Sequence, residues 1–167
     1  PAATNYDPLA CLNTVSCTFL VNNITQDTGY AVIQTAIDSS VNGDTIIVSS
    51  GTYTENININ GKSIVLASDF LLTGDTSKIS STIIDGNQSG SVVSLNGYSV
   101  LKGFTIKNGA SNYGGGIYYD NSSAITESCI IKDNLSYSNG GGIYMRFSSP
   151  TISNTIIIEF YIIFNYI

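Results

Sequence analysis

Twelve acidic and six basic side chains, with no histidine and no tryptophan, bound the chemistry open to this 167-residue chain. Acid–base work near neutral pH then falls to carboxylates, lysines or the single arginine, Arg146. The enzymatic combination with most chemical sense is Asp85, Asp120 and Asp133 facing one groove, where clustered acids beside a basic group would act on acidic polysaccharide. No two aspartates are adjacent anywhere in the sequence. A lone acid beside a turn ordinarily caps backbone N–H groups or faces water. No catalytic residue is therefore assigned.

Two short stretches imitate ligand loops. "GKS" at 61–63 has the end of a phosphate-binding loop, but Asn56 stands where the first glycine is required and a strand is expected to follow. "NINING" at 56–61 imitates a calcium loop, yet Asn56 occupies the first position and Ala67 the twelfth, where a bidentate Glu is needed. Alternation explains it better, with Ile57 and Ile59 on one face of a strand. No metal or cofactor is assigned. Cys129, between apolar neighbours, reads as a small core residue, whereas Cys11 and Cys17 are close enough in sequence to form an extracellular disulfide. The sequons at Asn23, Asn87, Asn121 and Asn134 arise easily in a chain so rich in Asn and Ser.

Tyr113, Tyr118, Tyr119, Tyr137 and Tyr144 carry two readings. Tyr118 and Tyr144 are equivalent in a repeat, so they would stack as a ladder along one face; aromatic rows also bind sugar rings.

The repeat itself is "GGGIY", which begins at Gly114 and again at Gly140, with "SS" following at 122–123 and 148–149. On the same period "SCIIKDN" (128–134) falls on "NTIIIEF" (154–160). At an offset of 25, "GFTIKNG" (103–109) matches "SCIIKDN", pairing Phe104 with Cys129 and Ile106 with Ile131. Earlier β-branched runs at 44–50, 62–68, 81–87 and 90–97 are each bounded by turn residues. Units of about 20–26 residues with two or three strands predict a stacked coil, since no unit can bury its apolar face alone. Glycine in "GGGIY" permits the positive φ of a sharp corner, tested at Gly115 and Gly141, with close packing against a neighbour as the next candidate if their φ is negative; Ile-Tyr re-enters a strand. Its lack of a following Lys-Ser/Thr or helix sets it apart from phosphate loops.

Elements at each end follow. Ile33, Ala36 and Ile37 at i, i+3 and i+4 predict a short amphipathic helix over 30–39, capped by Thr28 or nearby polar groups and covering the end of the coil. Residues 159–167 are expected to leave the repeat as an apolar tail, a truncation or sequence-level accident rather than a bilayer anchor. The segment "TIIIEFYIIFNYI" is too short to span a membrane and holds Glu159. Charged residues are only 11% of the chain and the net charge is −6, which disfavours nucleic acid and anionic membranes as partners. Ser, Thr, Asn and Gly must then supply the polar surface, a composition of strands and tight turns.

Residues 33–68, "IQTAIDSSVNGDTIIVSSGTYTENININGKSIVLAS", resemble the opening of right-handed parallel β-helix proteins of the pectin lyase-like superfamily. "TIIDGNQSG" and "VLKGFTIKNG" resemble the next rungs, and "YGGGIY" is similar to repeats of bacterial surface β-helix proteins. The resemblance covers roughly 28–158. It implies an all-β right-handed parallel β-helix with a short N-terminal capping helix, about five rungs over 41–158, and a linker with the helix over 21–40. It also implies an extracellular or outer-cell-surface setting. The superfamily holds enzymes as well as non-enzymes. Its lyases use clustered acids to hold calcium and a basic residue to abstract a proton, and neither pattern is found here. The expected role is thus a structural or adhesive region of a secreted or surface protein. Alternatives are a carbohydrate-active enzyme fragment and a non-catalytic sugar-binding module, with extracellular polysaccharide or cell-surface components as partners. Residues 1–20 resemble a Cys-containing module of secreted bacterial proteins that ends in "DDGSC". Here that end reads "LNTVSC" (12–17), so no metal site is carried over.

Overall fold

A computed structural model describes residues 20–162. The Cys11–Cys17 pairing and, apart from Leu20, the module at 1–20 lie outside the described residues. The chain opens with a hairpin of β1 (Val21–Asn23) and β2 (Thr28–Tyr30), then helix α1 (Ile33–Ser39). It next visits three sheets in turn, one strand in each: β3 (Thr45–Val48), β4 (Gly51–Thr54) and β5 (Ile57–Asn58). The second pass is β6 (Val65–Ser68), short helices α2 (Phe70–Thr73) and α3 (Ser77–Ser81), β7 (Thr82–Asp85) and β8 (Val93–Gly97). The third is β9 (Val100–Lys102), β10 (Thr105–Lys107), β11 (Ala110–Tyr113) and β12 (Ile117–Ser122). β13 (Ile125–Glu127), β14 (Ile130–Asn139) and β15 (Ile143–Arg146) follow, then β16 (Thr151–Ser153) and β17 (Ile156–Ile162).

Each pass lies parallel to the one before it in all three sheets. The fold is mostly β, with parallel sheets compatible with a β-helix-like solenoid. In-register pairing stacks like on like. Ile46, Leu66, Leu101, Thr126 and Ile152 form one column, and Tyr53, Ile84, Ile106, Ile131 and Ile157 another. A third runs through Ile57, Val93, Ile117 and Ile143. Apart from Thr126 and the exposed Ile157, these residues join α1's Ile33, Ala36 and Ile37 in one apolar cluster, with Ile143 and Ile152 packed against it. The pairings Ile106–Ile131 and Ile130–Ile156 hold as the sequence spacing requires.

Corners between sheets recur with the same period. Gly103, Ser128 and Asn154, each just past a strand of the first sheet, all take positive φ. So do Gly97, Asn121 and Phe147 past or at the ends of third-sheet strands. Asn, Asp and Gly tolerate this conformation best, so the abundance of turn residues is the cost of bending the chain at fixed intervals.

The glycine triplet differs from expectation. Positive φ falls on Gly114 and Gly140, the first of each triplet, not on Gly115 and Gly141. The later glycines are required by close approach instead. A Cβ at Gly115 would strike the Leu135 carbonyl oxygen and come within 2.7 Å of the Gly141 oxygen. The two triplets are zipped together by Gly115 N–H to Gly140 O at 3.2 Å and Gly116 N–H to Gly141 O at 3.1 Å.

The ends also depart from expectation. Helix α1 starts at Ile33, and its N-terminal cap is not Thr28, which lies in β2. The Glu55 carboxylate accepts from the backbone N–H groups of Ile33 (3.0 Å) and Gln34 (2.9 Å) instead. The stretch before the helix is a hairpin that pairs antiparallel with β3, closing that edge of the first sheet. At the other end β17 stays in register with β14 through Ile162, so the pattern extends past 158. Backbone pairing needs no side-chain match, and the repeat alignment read from side chains missed it. Phe160 and Tyr161 are exposed on this last strand.

Candidate functional site

Of the sequence-derived acids, Asp120 lies on a different sheet from Asp85 and Asp133. Asp85 closes β7 in the second sheet. Its Oδ1 accepts from the Asn87 N–H, and its Oδ2 accepts from Asn108 Nδ2 (2.9 Å) and faces Lys107 Nζ at 3.4 Å. Asp133, in β14 of the same sheet, pairs with its neighbour Lys132 at 3.4 Å. Asp120 lies in β12 of the third sheet, where Arg146 Nε donates to Oδ1 at 2.9 Å and Nη2 donates to Oδ2. Hydrogen bonding from Arg146 holds the Asp120 carboxyl below the usual range and pushes the guanidinium further up. A carboxylate held ionised by a bidentate arginine is a poor proton donor. Among the described residues no group of three or more His, Cys, Asp or Glu is placed to hold a metal ion.

The lysine of "GKS" has a structural task. Lys62 Nζ donates to the carbonyls of Ile37 (2.6 Å), Asp38 (2.7 Å) and Ser40 (2.8 Å) at the end of α1, where Ile37 O also accepts from Ser40. The "NINING" asparagines face outward while Ile57 and Ile59 are buried. Cys129 is buried in the core, and burial raises its thiol to about 11, which suppresses the thiolate a nucleophile needs. Two sequon asparagines, Asn23 and Asn134, are fully buried and hydrogen-bonded, so they cannot carry glycan in this fold. Asn87, in a turn, and Asn121, near the end of β12, are exposed and take positive φ.

The tyrosines divide cleanly. Tyr119 points into the core, its hydroxyl 2.6 Å from Thr126 Oγ1, and burial raises it to about 12. Tyr137 is exposed on β14. Tyr118 and Tyr144 point outward from the third sheet as registered neighbours, with ring centroids 5.9 Å apart and planes at 16°. Tyr113 leans on Tyr144 at 5.0 Å and 38°. The ladder is therefore real, and it makes the outer face of the third sheet the candidate site. Alternation along β5, β8, β12 and β15 builds that face from Asn58, Ser94, Tyr118 and Tyr144 in one column. Asp120 and Arg146 stand in the next outward column. Side chains from four passes thereby form one continuous surface.

Sequence reasoning missed Asn58, Ser94 and Asn96. A signal was present: aligning "GSVVSLNG" onto "GGGIYYDN" places Ser94 under Tyr118 and Asn96 under Asp120, but the glycine match is too weak to find by eye.

Compared with known proteins, the sequence matches no family model, no curated protein and no solved structure. No helix among the described residues is long and apolar enough to cross a membrane.

Proposed function

We propose that this chain is a right-handed parallel β-helix of the pectin lyase-like kind, serving as a non-catalytic structural or adhesive region of a secreted or cell-surface bacterial protein. The observation that carries the reading is the division of labour across the fold. Apolar columns point inward, while of the acids that could do chemistry Asp120 lies on a different sheet from Asp85 and Asp133, and all three are held by neighbouring lysines, an asparagine or Arg146. An enzyme acting on acidic polysaccharide needs those acids convergent, with a basic group left free for proton abstraction. A scaffold needs the reverse: a rigid rod whose charges are few and neutralised, with side chains displayed at a fixed spacing along its faces.

The test is incubation of the protein with pectins and alginates, with and without calcium, followed by assays for unsaturated products and new reducing ends. The scaffold reading expects neither under any condition. Turnover of any of these polymers overturns it.

A further inference from the structure

The tyrosine ladder stops abruptly. Along the outer column of the third sheet, Tyr144 and Tyr118 are followed by Ser94 and then Asn58. One face of the Tyr118 ring is covered by Tyr144. Towards the earlier passes the column continues to Ser94 and Asn58, where no ring extends the stack, and the Arg146 guanidinium lies 6.0 Å from the Tyr118 ring centroid. A notch of about 140 Å³ occupies this step, lined by Asn58, Ser94, Leu95, Asn96, Tyr118 and Asp120. Stacking within the fold explains why Tyr118 and Tyr144 are paired, but it does not explain an aromatic face left standing above a small residue.

We propose that this step binds one ring of a neutral, β-linked, gluco-configured polysaccharide. Such a ring carries axial C–H groups on its faces and hydroxyls around its equator. The first fit an aromatic face, and the second need oriented donors and acceptors around it. The notch supplies both. Asn96 Oδ1 accepts from the Gly61 N–H at 2.7 Å and Asn58 Oδ1 accepts from the Asn60 N–H at 2.8 Å, which fixes each amide plane and leaves its NH₂ as the donor. Asp120 is held ionised and fixed in place by Arg146, so its remaining lone pairs can accept from hydroxyls. No cation lines the notch. Arg146, the cation beside the notch, is already engaged by both Asp120 oxygens, so a uronate carboxylate would find no free cationic partner there in a protein of net charge −6. The ligand is therefore neutral rather than acidic. This goes beyond the scaffold reading and does not depend on turnover.

Titration of the whole chain with cellotetraose and, separately, with tetragalacturonate, followed by calorimetry and by NMR, tests the proposal. The wild type should bind cellotetraose saturably and leave tetragalacturonate unbound. Ser94→Tyr extends the ladder by one ring, closes the notch and keeps the sheet face intact. It should weaken cellotetraose binding at least tenfold with an unchanged circular dichroism spectrum, as should Tyr118→Ala. Tyr137→Ala, on the exposed face of β14, should bind as the wild type does. Absence of saturable cellotetraose binding in the wild type, full binding by Ser94→Tyr, or equal binding of tetragalacturonate would each overturn the proposal. None of these outcomes bears on the scaffold reading, which turnover alone decides.

Discussion

Glu55 and Lys62 grip opposite ends of the same helix. The carboxylate of Glu55 accepts from the first backbone N–H groups of α1, and the ammonium of Lys62 donates to three carbonyls at its last turn and beyond. Seven residues are too few for a helix to persist by propensity, and no side chain of its own hydrogen-bonds its N-terminus. The clamp thus fixes α1 from the strand connections that flank β5, and each charge sits at the end of the helix dipole that favours it.

Lys62→Met keeps the aliphatic stem and removes the three donated hydrogen bonds. It should destabilise the fold by about 1–3 kcal/mol, the range for hydrogen bonds to a charged group. Glu55→Gln should cost less, about 1 kcal/mol, because the amide oxygen can still accept one N–H. Urea denaturation midpoints at constant m-value check both. If Lys62→Met leaves the midpoint unchanged, the clamp does not stabilise the cap.

Gly43 and the triplet residue Gly115 separate two effects of glycine. Gly43 has positive φ and open space around its Cβ position, so Gly43→Ala meets only backbone strain, about 1–2 kcal/mol. Gly115→Ala drives a methyl group into the Leu135 carbonyl and against the neighbouring pass, where neither backbone can yield without breaking the ladder. It should cost about 3 kcal/mol or more, or prevent soluble expression. Comparable denaturation midpoints for the two variants would count against close packing as the reason for the second glycine.

What the sequence disclosed and what it withheld have distinct physical origins. Stacking of Ile106 on Ile131 and of Tyr118 on Tyr144 was legible because in-register pairing forces equivalent side chains to recur at the length of a pass. The choice between Gly114 and Gly115 as the corner was not legible. Positive φ and lack of room for a Cβ select the same residue type, so the letter cannot say which applies. Capping by Glu55 was hidden because its partners are 21 and 22 positions away. The notch beside Tyr118 was hidden for a related reason, since it depends on the absence of a large side chain at Ser94. The hairpin of β1 and β2 lacked the period-2 apolar pattern, because Asn23 is buried for its hydrogen bonds to Asp44 and to the turn.

Alkaline pH should unfold the protein through its buried tyrosines. Burial raises Tyr53 and Tyr119 from 10.0 to about 12 in the fold. A folded-state value above the unfolded one means the contribution is complete below pH 10 and is lost as pH climbs from 10 towards 12. Tyr119, wholly buried, should account for on the order of 2 kcal/mol across that window. Tyr119→Phe loses the bond to Thr126 and so starts less stable at pH 8, but its urea midpoint should fall less between pH 8 and pH 11.5 than that of the wild type. Equal slopes in the two proteins would show that Tyr119 does not drive the alkaline transition.

Phe147 offers a stabilising change. It takes φ 49°, a left-handed conformation that bulky side chains rarely adopt, and it is 83% exposed. One pass earlier the corresponding corner is Asn121, at φ 50°. Asn relieves the conformational penalty, because its short polar side chain accommodates this region. Little packing is forfeited: among the described residues the ring faces the Arg146 guanidinium, 6.0 Å away and already bonded to Asp120. Phe147→Asn should therefore stabilise the fold by about 0.5–1 kcal/mol and raise the thermal midpoint by a few degrees. Phe147→Gly should do at least as well at relieving strain while giving back part of the gain through unfolded-state entropy. A drop in midpoint for the Asn variant would mean that the exposed ring contributes contacts worth more than the strain it imposes.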